Sequence, residues 1–194
     1  SGKIVELHGA TVIKNHKAVE KKLDLVVRKD MHVVIAGPNG IGKSTLLAKL
    51  ATGSTNHGTV APEAVVGYYQ QDFGNLDSEQ VAYDVLKDAM FERDEQKLRS
   101  AAAGFLLDGH ILSRQVKALS EGQKGLLSFC RLVLLKPGLL ILDEPTNHIN
   151  FRHLPILAQA LDEYQGAMIM VSHIPEFVAQ IRVDTTIDLG TLKG

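Results

Sequence analysis

The nine residues Gly37 to Thr45 read GPNGIGKST, follow the short apolar run HVVIA and lead straight into KSTLLAKLAT. Few local structures satisfy that order. A five-residue apolar run reads as a buried strand, and Leu46, Leu47 and Leu50 recur at the spacing of one helix face. The segment between them matches G-x-x-x-x-G-K-[ST] in full through Gly37, Gly42, Lys43 and Ser44, with Pro38, Asn39, Gly40 and Ile41 in the variable places. Glycines let successive backbone N–H groups curl towards one point, and the helix start adds partial positive charge there. Gly37 to Thr45 are therefore expected to cradle phosphates, with Lys43 reaching the β- and γ-phosphates and Ser44 ligating Mg²⁺. A chance turn would lack the strand before and the helix after.

Beyond this unit the pattern keeps alternating. IVEL and LDLVV alternate apolar and polar near the N-terminus, with Leu23, Leu25 and Val27 on one face, which predicts an antiparallel β edge. AVVGYYQ, LLILD and AMIMVS read as further strands, and TTIDL follows them. Helical patterns fill the gaps: about Gln80 to Leu107, with Glu95 one turn before Arg99, then a helix opened by Ser120, one over Phe151 to Tyr164, and a short one in IPEFVAQI. Alternating strands and helices predict an α/β fold, a mostly parallel sheet flanked by helices, with Gln80 to Leu107 as a small helical lobe.

At 194 residues, 45% of them hydrophobic and 22% charged, the chain supports one well-packed core. Its single cysteine, Cys130, excludes an intrachain disulfide and points to a reducing, cytoplasmic setting. Cys130 lies in an apolar helical run and reads as a small buried hydrophobe. No apolar stretch approaches the roughly 18 residues of a membrane span, so no membrane contact is expected of this domain. The start, Ser1-Gly2-Lys3, lacks an initiator methionine and reads as part of a longer chain. A net charge of -1 gives no overall electrostatic footprint for nucleic acid, and the basic residues between Lys14 and Lys29 read as solvated strand and turn positions.

LLILDEP puts two carboxylates at the end of a wholly apolar strand. Consecutive side chains leave a strand in different directions, so Asp143 is expected to face the metal and Glu144 the attacking water, as general base. His173 ends AMIMVS. By itself such a histidine reads as a satisfied polar residue, but ligands of a parallel sheet bind beyond the carboxyl ends of its strands, which brings it towards the γ-phosphate. Gln71 after GYYQ occupies the same kind of position, where its amide would bridge Mg²⁺ and water, and Gln70 competes for that role. A second polar stretch, LSEGQKG at Leu119 to Gly125, runs into LLSFCRLVLL like another anion site at a helix start.

With GPNGIGKST, LSEGQKG, LLILDEPTNH and VSH in this order, the chain resembles the ATP-binding cassette family over nearly its whole length, and EPTNHIN resembles the soluble F-subfamily, which carries two cassettes per chain and acts on the ribosome. The resemblance implies a P-loop NTPase fold with a nucleotide-binding core over 1–73 and 126–194 and a helical lobe with the signature over 74–125. It implies ATP and Mg²⁺ as cofactors, Gln71 as the Q-loop glutamine, His173 as the switch histidine, and Ser120, Gly122 and Gln123 as a signature that caps ATP on a second cassette. Asn147 to Asn150 would lie along that head-to-tail interface.

Four features depart from the family pattern. Glu121 replaces a signature glycine, Asn150 replaces an aspartate, Ile174-Pro175 replaces an Asp-Arg pair, and no Phe or Tyr precedes Tyr68 to stack on adenine, leaving Ile13 or His16 to pack on the base. The reading favoured by the sequence is a Mg²⁺-dependent ATPase, slow in isolation, that closes on a second cassette in a ribosome-directed protein. The alternatives are the motor subunit of a membrane transporter and a nucleotide sensor with little hydrolysis.

Overall fold

The computed structural model describes residues 2–194. Its centre is a five-stranded sheet built from β3 (His32–Ala36), β5 (Val66–Tyr69), β6 (Leu139–Asp143), β7 (Ala167–Val171) and β8 (Thr185–Asp188). Their spatial order is β5-β6-β7-β3-β8, and every neighbouring pair runs parallel. β6 and β7 are buried along their full length, which is why they read as unbroken apolar runs rather than alternating ones. The pleat divides their side chains between two cores. Leu140, Leu142, Met168 and Met170 join Val34 on one face, whereas Leu139, Ile141, Ala167 and Ile169 join Val33 and Ile35 on the other.

The second of these faces is covered by α1 (Lys43–Thr52), through Leu46, Leu47 and Leu50, and by the strands near the N-terminus. β1 (Lys3–Lys14) and β2 (Lys17–Arg28) pair antiparallel around Asn15-His16, both with positive φ as a two-residue hairpin turn requires. β4 (Gly58–Val60) adds to β1, so these strands form a sheet of their own, in the order β2-β1-β4, rather than the edge of the parallel one. β4 is three residues long, too short to carry a periodicity that sequence reading could catch.

The first face is covered by α2 (Ala82–Ala89), α3 (Glu95–Gly104), α4 (Gly109–Leu112), α5 (Glu121–Leu135) and α6 (Leu154–Glu163), whose buried side chains form one continuous cluster. The helical stretch expected from Gln80 to Leu107 is broken between residues 90 and 94. Asp94 accepts a hydrogen bond from the Lys97 backbone N–H (3.1 Å) and starts a new helix as its N-cap. The Glu95–Arg99 pair forms at 3.1 Å. The helix expected from Phe151 to Tyr164 opens instead as a 3₁₀ turn, Phe151–His153, and becomes α-helical at Leu154 with Pro155 in the first turn. The helix expected in IPEFVAQI is a single turn, α7 (Pro175–Val178).

A parallel sheet has two unlike poles. At the carboxyl pole β3 runs into the glycine loop, β6 into Glu144 and β7 into Ser172-His173. The opposite pole is fastened by polar groups: fully buried His32 contacts the Arg182 and Tyr164 carbonyls through Nδ1 (2.9 Å) and Nε2 (3.1 Å). Arg182 ion-pairs with Asp184 at 2.7 Å and donates to the Asp30 carbonyl, while the His32 N–H donates to Asp184.

Candidate functional site: a glycine loop at the carboxyl pole

The glycine loop has the backbone its composition predicts. Gly37, Gly40 and Gly42 hold φ of 139°, 81° and 116°, values an L side chain rarely adopts. Gly42 caps α1, and the first helical bond, from the Leu46 N–H, ends on its carbonyl (3.0 Å). The N–H groups of Lys43, Ser44 and Thr45 therefore precede any intrahelical bond and form the orphan donors of the helix start. β1 braces the loop from outside, with the Ile13 N–H donating to the Ile41 carbonyl at 2.9 Å. A cavity of about 430 Å³ opens here, lined by Asn39, Gly40, Gly42, Lys43, Ser44 and Thr45 together with Ile13, Gln71, Glu144, Asn147, His173 and Ile174.

Lys43, Glu144 and His173, far apart in sequence, meet at the floor of this cavity. Lys43 is 7% exposed, and its ammonium donates to the Gly37 carbonyl and to His173 Nε2 (3.1 Å). Because Nε2 accepts there, Nδ1 carries the imidazole proton of a neutral ring, and it lies in close contact with the Glu144 carboxylate. The His173 N–H also donates to Glu144 Oε2 at 3.2 Å. Glu144 is buried and adopts a left-handed φ of 49°, which turns it away from the direction a regular strand would give.

Asp143, next to it, is 4% exposed, and its Oδ1 has no hydrogen-bond partner. Burial pushes its carboxyl above the ordinary carboxylate value, against a hydrogen bond from Ser44 and the charges of His173 and Lys43. Asp143, Ser44 and Gln71 line a second cavity of about 780 Å³ that shares Ser44, Thr45, Gln71 and Asn147 with the first. The donors nearest the glycine loop are oxygens: the Ser44 hydroxyl, the Asp143 carboxylate with its bare buried oxygen, and the Gln71 amide, while Asp72 and Glu121 line the same cavity. Among the described residues no three His, Cys, Asp or Glu side chains form a ready metal cage. Oxygen donors beside an open anion cradle fit Mg²⁺, which keeps several waters and shares its ligands with phosphate.

The structure distinguishes Gln71 from Gln70. Gln71 lines both cavities, whereas Gln70 lines only the larger one, its amide lying over Gly74. Ile13, not His16, borders the loop cavity. Ser120 is the N-cap of α5, accepting from the Gln123 N–H (3.1 Å), while Gln123 Oε1 accepts from the Ser120 N–H (3.0 Å). Glu121 pairs with Lys124 at 3.2 Å and lines the larger cavity of its own chain. Neither cavity is lined by Ser120, Gly122 or Gln123. Asn147, expected at an interface with a second cassette, stands between both cavities of this chain. Sequence reading missed that place because it follows from the tight turns after Glu144, where the Asn147 N–H returns to the Glu144 carbonyl (3.2 Å).

Comparison with known proteins gives a consistent answer. The family model described as ABC transporter matches residues 21–147. The probable ATP-binding protein YbiT of Escherichia coli O157:H7 is 35% identical over 182 residues, covering 91% of this chain and 34% of its own length. ABC transporter F family member 5 of Arabidopsis thaliana is 34% identical, covering 85% of this chain and 25% of its own. The chain thus spans about a third or less of these relatives. Among solved structures, a putative ABC transporter ATP-binding protein of Pyrococcus furiosus superposes with a TM-score of 0.78 at 18% identity, over 98% of this chain and 99% of that one. An archaeal ribosome recycling factor, aABCE1, in complex with a ribosomal stalk protein gives 0.73 at 20% identity, over 93% of this chain and 36% of that one. No helix among the described residues is long and apolar enough to cross a membrane. With its glycine loop, its parallel sheet and these relatives, F-family members among them, the chain belongs to the ATP-binding cassette (ABC) family.

Proposed function

We propose that this cassette binds ATP with Mg²⁺ and hydrolyses it as one half of a head-to-tail pair of cassettes, within a cytoplasmic protein that acts on the ribosome. The observation that carries the catalytic part is the contact of Glu144, His173 and Lys43 beneath the glycine loop. The loop N–H groups and Lys43 would hold the phosphates, and Ser44, Asp143 and Gln71 would hold the metal. Mg²⁺, when bound, neutralises charge on the phosphate oxygens. Glu144 would take a proton from water at the γ-phosphate. His173, with its proton on Nδ1, fixes the carboxylate and keeps Nε2 towards the phosphate side.

Ser120, Gly122 and Gln123 line neither cavity of their own chain, which supports their service to nucleotide on a second cassette. Relatives roughly three to four times as long leave room for that cassette within one chain. The ribosomal part is supported by the F-family names and by PTNH at Pro145 to His148. Loss of a positioned general base costs on the order of 10²- to 10⁴-fold, so Glu144→Gln should release phosphate at least about a hundred times more slowly while still binding ATP. With ATP, the whole protein carrying that substitution should co-sediment with ribosomes. Unchanged phosphate release would remove Glu144 from the mechanism, and no ATP-dependent enrichment would sink the ribosomal reading.

A further inference from the structure

The segment from Glu144 to Asn150 carries Glu144 at one end and Asn147 in its middle, and its path is unusual. It consists of two successive turns, Asn147 N–H to Glu144 O and Ile149 N–H to Thr146 O, both at 3.2 Å. Glu144 and His148 both hold left-handed φ, 49° and 70°, although neither is glycine. Phe73, whose ring lies 6.1 Å from that of His148, does the same at 57°. Non-glycine residues stay in such conformations where the surroundings over-determine them.

The surroundings on the inner side are the first two turns of α5. Gly125 is buried inside this helix, where glycine is the residue least favoured after proline. A Cβ on Gly125 would lie 2.5 Å from Ile149 Cδ1 and 3.0 Å from Tyr69 Oη, and one on Gly122 would lie 3.1 Å from the His148 carbonyl oxygen. Ile149 packs against the core cluster that includes Tyr69 and Leu126, and fully buried Tyr69 closes the other side of the space its Cδ1 would need in order to swing clear. The bare flank of α5 thus sets how deep Ile149 seats.

We infer that Gly125 is a positioning residue: by admitting Ile149, it fixes the two-turn segment and with it the direction in which Glu144 and Asn147 face the loop cavity. The claim rests on the reading of Glu144 as general base only for its catalytic consequence. The geometric part stands separately, and the chain contains no tryptophan, which allows a clean reporter. Phe151, exposed and directly after the segment, is the place for it.

In a Phe151→Trp background, Gly125→Ala should shift the emission maximum, and Gly125→Ala with Ile149→Val should return it towards the parent value. Turnover should follow the same order, with kcat falling about fivefold or more in Gly125→Ala, recovering to within about twofold in the double variant, and KM for ATP moving less than twofold. An unshifted reporter, or a shift that Ile149→Val does not reverse, overturns the positioning claim. Recovered emission without hydrolysis in any variant, the parent included, keeps that claim and overturns the catalytic reading instead. Should Gly125→Ala fail to fold, Ile149→Ala unseats the segment from the other side, and unchanged emission there is equally fatal.

Discussion

Ile13 borders the glycine-loop cavity with two-fifths of its surface exposed, at the point where β1 is hydrogen-bonded to the loop. A nucleotide whose phosphates lie in the loop has an aliphatic neighbour there and no aromatic one. Stacking a base on an aromatic is worth about 1–3 kcal/mol, so Ile13→Tyr should tighten ATP binding by about tenfold in a titration with a fluorescent analogue, while inorganic tripolyphosphate binds as before. That the glycine loop, the paired acids of LLILDEP and the histidine after AMIMVS gather at one pole of the sheet was legible from motif and spacing. The chain of contacts from Lys43 through His173 to Glu144 was not, because 130 positions separate its first two members in sequence. Nor was the choice between Gln70 and Gln71, which depends on Gly74 folding back under one of them.

Among the elements, α5 shows how a local signal can serve twice. Ser120 and Gln123 cap each other's backbone, a reciprocal arrangement that starts a long apolar helix at a defined residue. Loss of a cap of this kind costs about 1 kcal/mol, and Ser120→Ala should lower the melting temperature of the chain by about 2–4 °C, with Ser120→Thr close to the parent in the same calorimetric scan. The cap uses only the acceptor role of the Ser120 hydroxyl, which leaves its proton for the partner cassette proposed above. The helical spacing of α1 and α5 and the unbroken apolar runs of β6 and β7 were legible from sequence. The break at Asp94 was not separated from its helical flanks, since Asp-Glu-Gln-Lys is equally good inside a helix surface. β4 escaped because its partner, β1, lies some fifty residues away and supplies the pairing that three residues cannot advertise.

On the scale of the whole molecule, the sheet is closed at one pole by chemistry and at the other by a buried histidine. Burial and then the adjoining Arg182 charge lower the His32 pKa from its ordinary value of 6.5, against the Asp184 carboxylate and the Arg182 and Tyr164 carbonyls. Arg182 Nη2 lies 3.2 Å from Nε2, and a guanidinium that close favours a neutral ring. In the unfolded chain this histidine takes up a proton near pH 6.5, and in the folded chain it does so only at lower pH. Stability from this group is therefore complete above pH 6.5 and falls as the pH drops from there through the folded value, with a slope of at most about 1.4 kcal/mol per pH unit. Urea titrations between pH 7.5 and 5 should show that decline, and His32→Gln should flatten it. The α/β plan and the order of its motifs were legible in the sequence. Which side chains share a core was not, since that follows from a pleat that sends Ile141 one way and Leu142 the other.

That division has a mechanical meaning. β6 is gripped from both sides along five residues and ends abruptly at Asp143, like a beam clamped over its length with its tools mounted at the tip. A tip held so short cannot swing independently of its mounting. Loosening of Asp143 by heat should therefore coincide with the loss of both cores, which β6 joins.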